Sequence, residues 1–266
     1  MNFIKILFFA LAISALNICS VNHADAATVD WTKGVVQAEL PAYNKETSVA
    51  DFTQMHQDLK RTIEDIMITE ARTFKTYLSE NDRIEMRFKY LLDNPQIITG
   101  PDGKKYCQIS LFGISRSVAG LIISDNIDEK PFLSSVPLQT NETSENEEKV
   151  QQEKKSNNNK ENITGLIIDC RSLYFPPLMF PTVTDENGTV IYSKDYFERA
   201  LLLSRGLVAY SSADRNTDRV GNNPLTVIPT GIEQGRIVVD TESANKILRA
   251  NKSFGFLRAA KVLILI

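Results

Sequence analysis

The chain has 266 residues, with 33 acidic and 30 basic side chains, a formal net charge of −3 and only two histidines. That balance, with no basic cluster interleaved with aromatics, lacks the electrostatic footprint of a nucleic-acid binder. A hydrophobic content of 42% supports ordinary globular cores, and the length allows two small domains once polar segments are set aside.

Residues 1–26 read as an export signal. Lys5 supplies a short positive region, Ile6 to Ile18 is apolar apart from Ser14 and Asn17, and Ala24-Asp25-Ala26 places small residues at −3 and −1 of a cleavage site. The apolar run is short for a membrane span. Cys19 follows Leu16-Asn17-Ile18, an imperfect lipoprotein box, so cleavage after Ala26 and lipidation of Cys19 stand as alternatives. Both place the protein outside the cytoplasm, in the periplasm or on the periplasmic face of the outer membrane of a bacterium. Any membrane contact would come through a lipid anchor or a partner.

Residues 27–125 read as the first domain. Val35, Val36, Ala38 and Leu40 suggest a strand after the turn Lys33-Gly34, with Trp31 as a packed strand residue. Ser48-Val49-Ala50-Asp51 resembles a capping box, and Phe52, Met55, Leu59, Ile63, Ile66 and Met67 follow at helical spacing. A second helix starts near Asp82, with Ile84, Phe88 and Leu91 in phase, and stops at Asn94-Pro95. Gln96 to Thr99, the turn Gly100-Pro101-Asp102-Gly103 and Lys104 to Leu111 form a hairpin. Residues 113–120 read as a strand exit rather than a phosphate loop, because the Lys-Ser/Thr ending is missing.

From 126 to 162 the chain turns polar and of mixed charge, as in Asn141-Glu142-Thr143-Ser144-Glu145, and reads as a flexible linker. Residues 163–266 read as a second domain. Gly165 to Cys170 is a buried strand, and Thr182 to Tyr192 is a hairpin around Asp185-Glu186-Asn187-Gly188. A short helix from Tyr196 to Leu203 precedes a strand at Leu207 to Tyr210. Further strands fall at Leu225 to Ile228, Ile237 to Val239 and Val262 to Ile266, and Asp240-Thr241 caps a helix through Leu248. The expected class is α+β: two small domains, each a mostly antiparallel sheet with helices on one face.

Catalytic constellations are missing from the sequence. His56 is the one histidine beyond the signal, no ligand-spaced Cys/His pair occurs, and no Gly-x-Ser-x-Gly elbow exists. No metal site, cofactor or enzymatic activity is expected. Cys107 and Cys170 look like small core residues of separate domains. The most site-like stretch is the loop Asp214 to Pro224, where Arg215, Arg219, Asn222 and Asn223 are candidate binding residues.

Several segments in order resemble a family of exported bacterial envelope proteins. They are Val29-Asp30-Trp31 with Gly34-Val35-Val36-Gln37-Ala38, then Leu111-Phe112-Gly113, Thr164-Gly165-Leu166-Ile167-Ile168-Asp169 and Pro181-Thr182-Val183. Arg219-Val220-Gly221-Asn222-Asn223-Pro224-Leu225 and Ile237-Val238-Val239 with Ala244-Asn245-Lys246-Ile247 complete the series. The chain is thereby similar to the small (about 20-kDa) outer-membrane lipoprotein family, related to the flagellar assembly proteins P and T. The resemblance implies a non-enzymatic protein acting through contacts with envelope proteins or with itself, in a flagellar or other envelope complex. The alternative is a periplasmic small-ligand or glycan-binding module using the Asp214 to Pro224 loop.

Overall fold

The computed structural model describes residues 27–41, 49–123, 130–133, 135–136, 162–213 and 217–266. The signal with Cys19, the cap residue Ser48, the candidate Arg215 and most of the segment 126–162 lie outside these residues. The architecture is α+β in two units.

The first unit opens with β1 (Thr28–Asp30) and β2 (Val35–Glu39), joined by a turn in which Lys33 N–H donates to Asp30 Oδ1 at 2.9 Å. Helix α1 (Val49–Glu64) buries Leu59 and Ile63, and the chain then forms a small hairpin, β3 (Met67–Thr69) and β4 (Arg72–Thr73). Met67 therefore belongs to a strand and not, as its spacing suggests, to the helix. The helix stops at Glu64 because Ile66 and Ile68 are needed in the core from an extended segment.

Helices α2 (Phe74–Ser79) and α3 (Asp82–Asp93) follow. Thr73 caps α2, accepting the Thr76 N–H at 3.2 Å. The expected hairpin is β5 (Gln96–Thr99) and β6 (Lys105–Ser110), after which a loop leads to the one-turn helix α4 (Ala119–Ile122). Strand order is β1-β2-β6-β5, antiparallel throughout. Val36, Ala38, Cys107 and Ile109 face the helices, while Gln37, Gln108 and Gln96 occupy directly paired positions on the opposite face.

The second unit holds β7 (Gly165–Asp169), β8 (Val183–Asp185), β9 (Val190–Tyr192), α5 (Arg199–Arg205), β10 (Ala209–Ser211) and α6 (Thr217–Val220). It continues through β11 (Pro224–Val227), β12 (Gly231–Glu233), β13 (Arg236–Val239), α7 (Thr241–Phe254) and β14 (Val262–Leu265).

Here the expectation of mostly antiparallel pairing needs correction. The sheet β10-β14-β7-β11 is parallel at every junction, and β13 also runs parallel to β8. The reason is visible in β14, where Val262, Leu263, Ile264 and Leu265 are all buried. A strand covered on both faces reads as a continuous apolar run, which is the habit of parallel sheets. Leu166, Ile168, Val262 and Ile264 face the main core, while Ile167, Leu263 and Leu265 pack with Val220 of α6 on the other side. Gly165 makes that approach possible, since a Cβ there would lie 2.5 Å from the Val220 carbonyl oxygen.

The units share one core. Met179 and Phe180 donate backbone N–H bonds to Met67 and Ile68 of β3 at 3.0 and 2.9 Å. Trp31, half-buried in a turn rather than in the expected strand, stands edge-on to Tyr210 with ring centroids 5.5 Å apart. Described residues inside the expected 126–162 linker also pack against the second unit. Phe132 stacks on Tyr196 with centroids 4.7 Å apart, and buried Val136 exchanges hydrogen bonds with the Asn245 amide at 3.1 and 3.4 Å. Burial of each such apolar side chain contributes about 1.5–3 kcal/mol, enough to dock these residues against the second unit.

Candidate functional site

The loop singled out by its composition does structural work. Arg219 lies on α6 and is only 8% exposed, with its guanidinium turned inward. It donates to the Arg205 carbonyl at 2.8 Å, to Gly206 at 3.0 Å and to Val262 at 3.3 Å. Burial lowers its pKa to about 10, which leaves it charged at neutral pH. It therefore satisfies the carbonyls that end α5 and begin β14, and does not present itself to a ligand. Asn223 bonds Thr164 Oγ1 through its backbone N–H and the Asn162 carbonyl through its amide, while Asn222 is exposed. Of the three candidates among the described residues, Arg219 is turned away from the surface that Asn222 and Asn223 share.

A different surface has the character of a site. A cavity of about 480 Å³ lies between α3, the loop that runs from Gly113 to α4, and the start of α5. Its lining includes four arginines (Arg83, Arg87, Arg116 and Arg199) and, among the described residues, no Asp, Glu or Lys. Helical periodicity explains why α3 supplies two of them: Ile84, Phe88 and Leu91 point into the core, which turns Arg83, Met86, Arg87 and Tyr90 outward. Met86 is 71% exposed, Tyr90 58% and Ile114 75%. Three large apolar groups thus stand in water among the arginines.

The loop that carries Arg116 is held from within. Ser117 is buried; its hydroxyl donates to the Gly113 carbonyl at 2.7 Å and accepts the Gly120 N–H at 3.1 Å. Ser117 also bridges Ser110 in β6. Arg116 itself sits at φ +53°, a conformation that side-chain-bearing residues rarely adopt. Arg87 donates to the Gly120 carbonyl at 3.1 Å and ties α3 to the same loop. Among the described residues neither Arg83 nor Arg116 has a carboxylate partner.

A second cavity of about 230 Å³ adjoins the first, sharing Leu91, Ser115 and Arg116. Its lining is polar, with Asn94, Gln96, Gln108 and Ser110. The combined groove follows α3 from Arg83 to Asn94, roughly 16 Å at about 1.5 Å per residue.

Two other surfaces carry paired charges. At the junction of the units, Glu70 pairs with Arg236, and Asp195 pairs with Lys130 and Lys194. His56 lies 3.3 Å from Asp93 at the surface, and Lys89 first, then His56, hold that carboxyl below its usual range. Cys107 and Cys170 are free and buried in the core, with burial raising the Cys107 thiol and pushing Cys170 up to about 12. Such thiols are poor nucleophiles. Among the described residues no cluster of His, Cys, Asp and Glu is arranged to hold a metal, and no helix is long and apolar enough to cross a membrane.

Neither a strand exit at 113–120 nor the buried phase of α3 points to this groove. The available signal was the outward stripe of Arg83, Met86, Arg87 and Tyr90, in which two apolar residues sit where a solvated helix face needs none.

Comparison with curated proteins finds no match to the chain. Residues 165–266, from the first residue of β7 onward, match the family model for the second domain of Tp0624 of Treponema pallidum.

Proposed function

We propose that this is an exported, non-enzymatic cell-envelope protein that works through protein–protein contacts, with the arginine cleft as its contact surface. The observation that carries the reading is the lining of the cleft: arginine, methionine, tyrosine and isoleucine, without lysine or carboxylates among the described residues. That is the composition of protein interface cores, where Arg, Met and aromatics are enriched and Lys, Glu and Asp depleted. Arg and Tyr are also the residues that carry most binding energy at such sites. The export signal and the resemblance to the small outer-membrane lipoprotein family support an envelope location and a role in a flagellar or other assembly.

The test is the native size of the protein extracted from its own envelope with mild detergent. A large discrete species that an Arg83→Gln/Arg116→Asn double variant reduces to monomer supports the reading. A monomer from the soluble periplasmic fraction in both cases removes it.

A second reading, a glycan or small-ligand module, is favoured by one observation. The amides of Gln37, Gln108 and Gln96 form a row across paired strands that leads to Arg116. This moves the ligand-binding alternative from the Asp214 to Pro224 loop to the first unit.

A further inference from the structure

Resting on the reading of the cleft as a protein-contact surface, we propose that its occupant is an acidic partner segment carrying apolar anchor side chains, bound along α3 from Arg83 and on to Gln96 at the start of β5.

Three observations converge on that chemistry. The first is charge: the chain as a whole carries a formal −3, yet the described lining of the cleft presents Arg83 and Arg116 with no acid beside them. A guanidinium presents a planar fork that takes carboxylate two bonds at a time, so a Glu- or Asp-bearing segment is the complementary partner. Arg83 lines the cavity from the helix and Arg116 from the loop. A segment lying there meets positive charge from both.

The second is apolar surface. Met86, Tyr90 and Ile114 leave most of their area in water, inside a concavity of about 480 Å³. That volume is within the range of ligand cavities, roughly 300–1,000 Å³. An anionic polysaccharide would pair with the arginines but has no side chain to cover Met86 and Ile114. The apolar anchor of a peptide covers both.

The third is the polar end. Beyond Arg116 the groove changes to Gln96, Gln108, Ser110 and Ser115, groups that donate and accept. A peptide backbone also donates and accepts along its length, so the continuing chain finds partners there. A lipid headgroup held by the arginines would make no use of this end. The hook that carries Arg116 is fixed by Ser117 and by Arg87 on Gly120, so the charge is in place before the partner arrives.

The experiment is fluorescence anisotropy on the protein with a labelled peptide of five Glu-Leu repeats. Controls are five Glu-Ser repeats, five Gln-Leu repeats, polygalacturonate and phosphatidylglycerol vesicles. The Glu-Leu peptide is expected to bind at least ten-fold more tightly than either control peptide and to weaken as salt rises. Arg83→Gln/Arg116→Asn and Met86→Ser/Ile114→Ser are each expected to cost ten-fold or more. All four positions are exposed, and unchanged thermal unfolding verifies that the variants fold.

Equal binding of Glu-Ser peptide or polygalacturonate would overturn the peptide assignment and leave an anion site. Vesicle binding that the Glu-Leu peptide does not displace would overturn it in favour of a lipid surface. No binding by any probe, or binding that neither double variant changes, also overturns it. The contact-surface reading fails separately, when the native complex keeps its size in the arginine double variant.

Discussion

The Nε of Arg236 donates to Oε1 of Glu70 at 3.1 Å, an ion pair that links β13 in the second unit to the turn after β3 in the first. The Glu70 side chain is 13% exposed and lies beside Thr182 as well. Together with the backbone bonds from Met179 and Phe180 to β3, it makes the junction a continuation of the fold rather than a hinge.

Glu70→Ala is expected to destabilise the protein by about 1 kcal/mol, at the upper end of the range of exposed pairs because the carboxylate is largely covered. Gly235→Ala should be at least as harmful. Gly235 has φ +79°, and a Cβ there would lie 2.7 Å from the Glu70 Cβ. Urea unfolding followed by tryptophan fluorescence checks both, since Trp31 packs across the junction on Tyr210. Unchanged midpoints would mean that the junction does not depend on this pair.

Arg219→Ala is expected to cost about 3 kcal/mol or more, because it orphans carbonyls of Arg205, Gly206 and Val262 together. Arg219→Lys should recover little, as a single ammonium cannot reach three divergent acceptors. Thermal unfolding reads the loss. A variant that kept wild-type stability would return Arg219 to the list of candidate ligand contacts.

Asp240 caps α7, accepting the Ser243 N–H at 2.7 Å, and this bond is the leading cause of its lowered pKa. The folded value lies below the unfolded one, so the charged cap stabilises the fold above the unfolded pKa. That contribution disappears as pH falls through the folded value. Asp240→Ala is expected to cost about 1 kcal/mol at pH 7, and the gap between variant and wild type should close as the pH falls through the lowered folded value. A gap that stays constant to the acid limit would contradict a charged cap.

Arg116→Asn is expected to leave stability unchanged or raise it by up to about 1 kcal/mol, because Asn tolerates the left-handed region better than a long side chain does. A calorimetric midpoint at or above that of the wild type checks this. A clear fall would show that the Arg116 side chain also stabilises the loop.

Much of the secondary structure was legible in the chain. The hairpin from Gln96 to Ser110 follows from turn chemistry at Gly100-Pro101-Asp102-Gly103, with Gly103 at φ +78°. Helix α3 follows from Ile84, Phe88 and Leu91 and ends before Pro95. The capped start of α7 follows from Asp240-Thr241. These are local signals, carried by residues within a few positions of one another.

Sequence alone determined the α+β class, the buried strands at 165–169 and 262–265 and the core character of Cys107 and Cys170, while the structure decided that the two thiols stay free. Burial pattern and local turn chemistry suffice for the former. Only the tertiary structure decided that β14 and β7 run parallel, that Arg219 points inward and that Phe132 and Val136 dock on the second unit. It alone brought Arg83, Arg116 and Arg199 to one cleft from three separate segments. Strand direction and side-chain convergence depend on contacts between residues far apart in the chain, and neither periodicity nor composition records which distant segments meet.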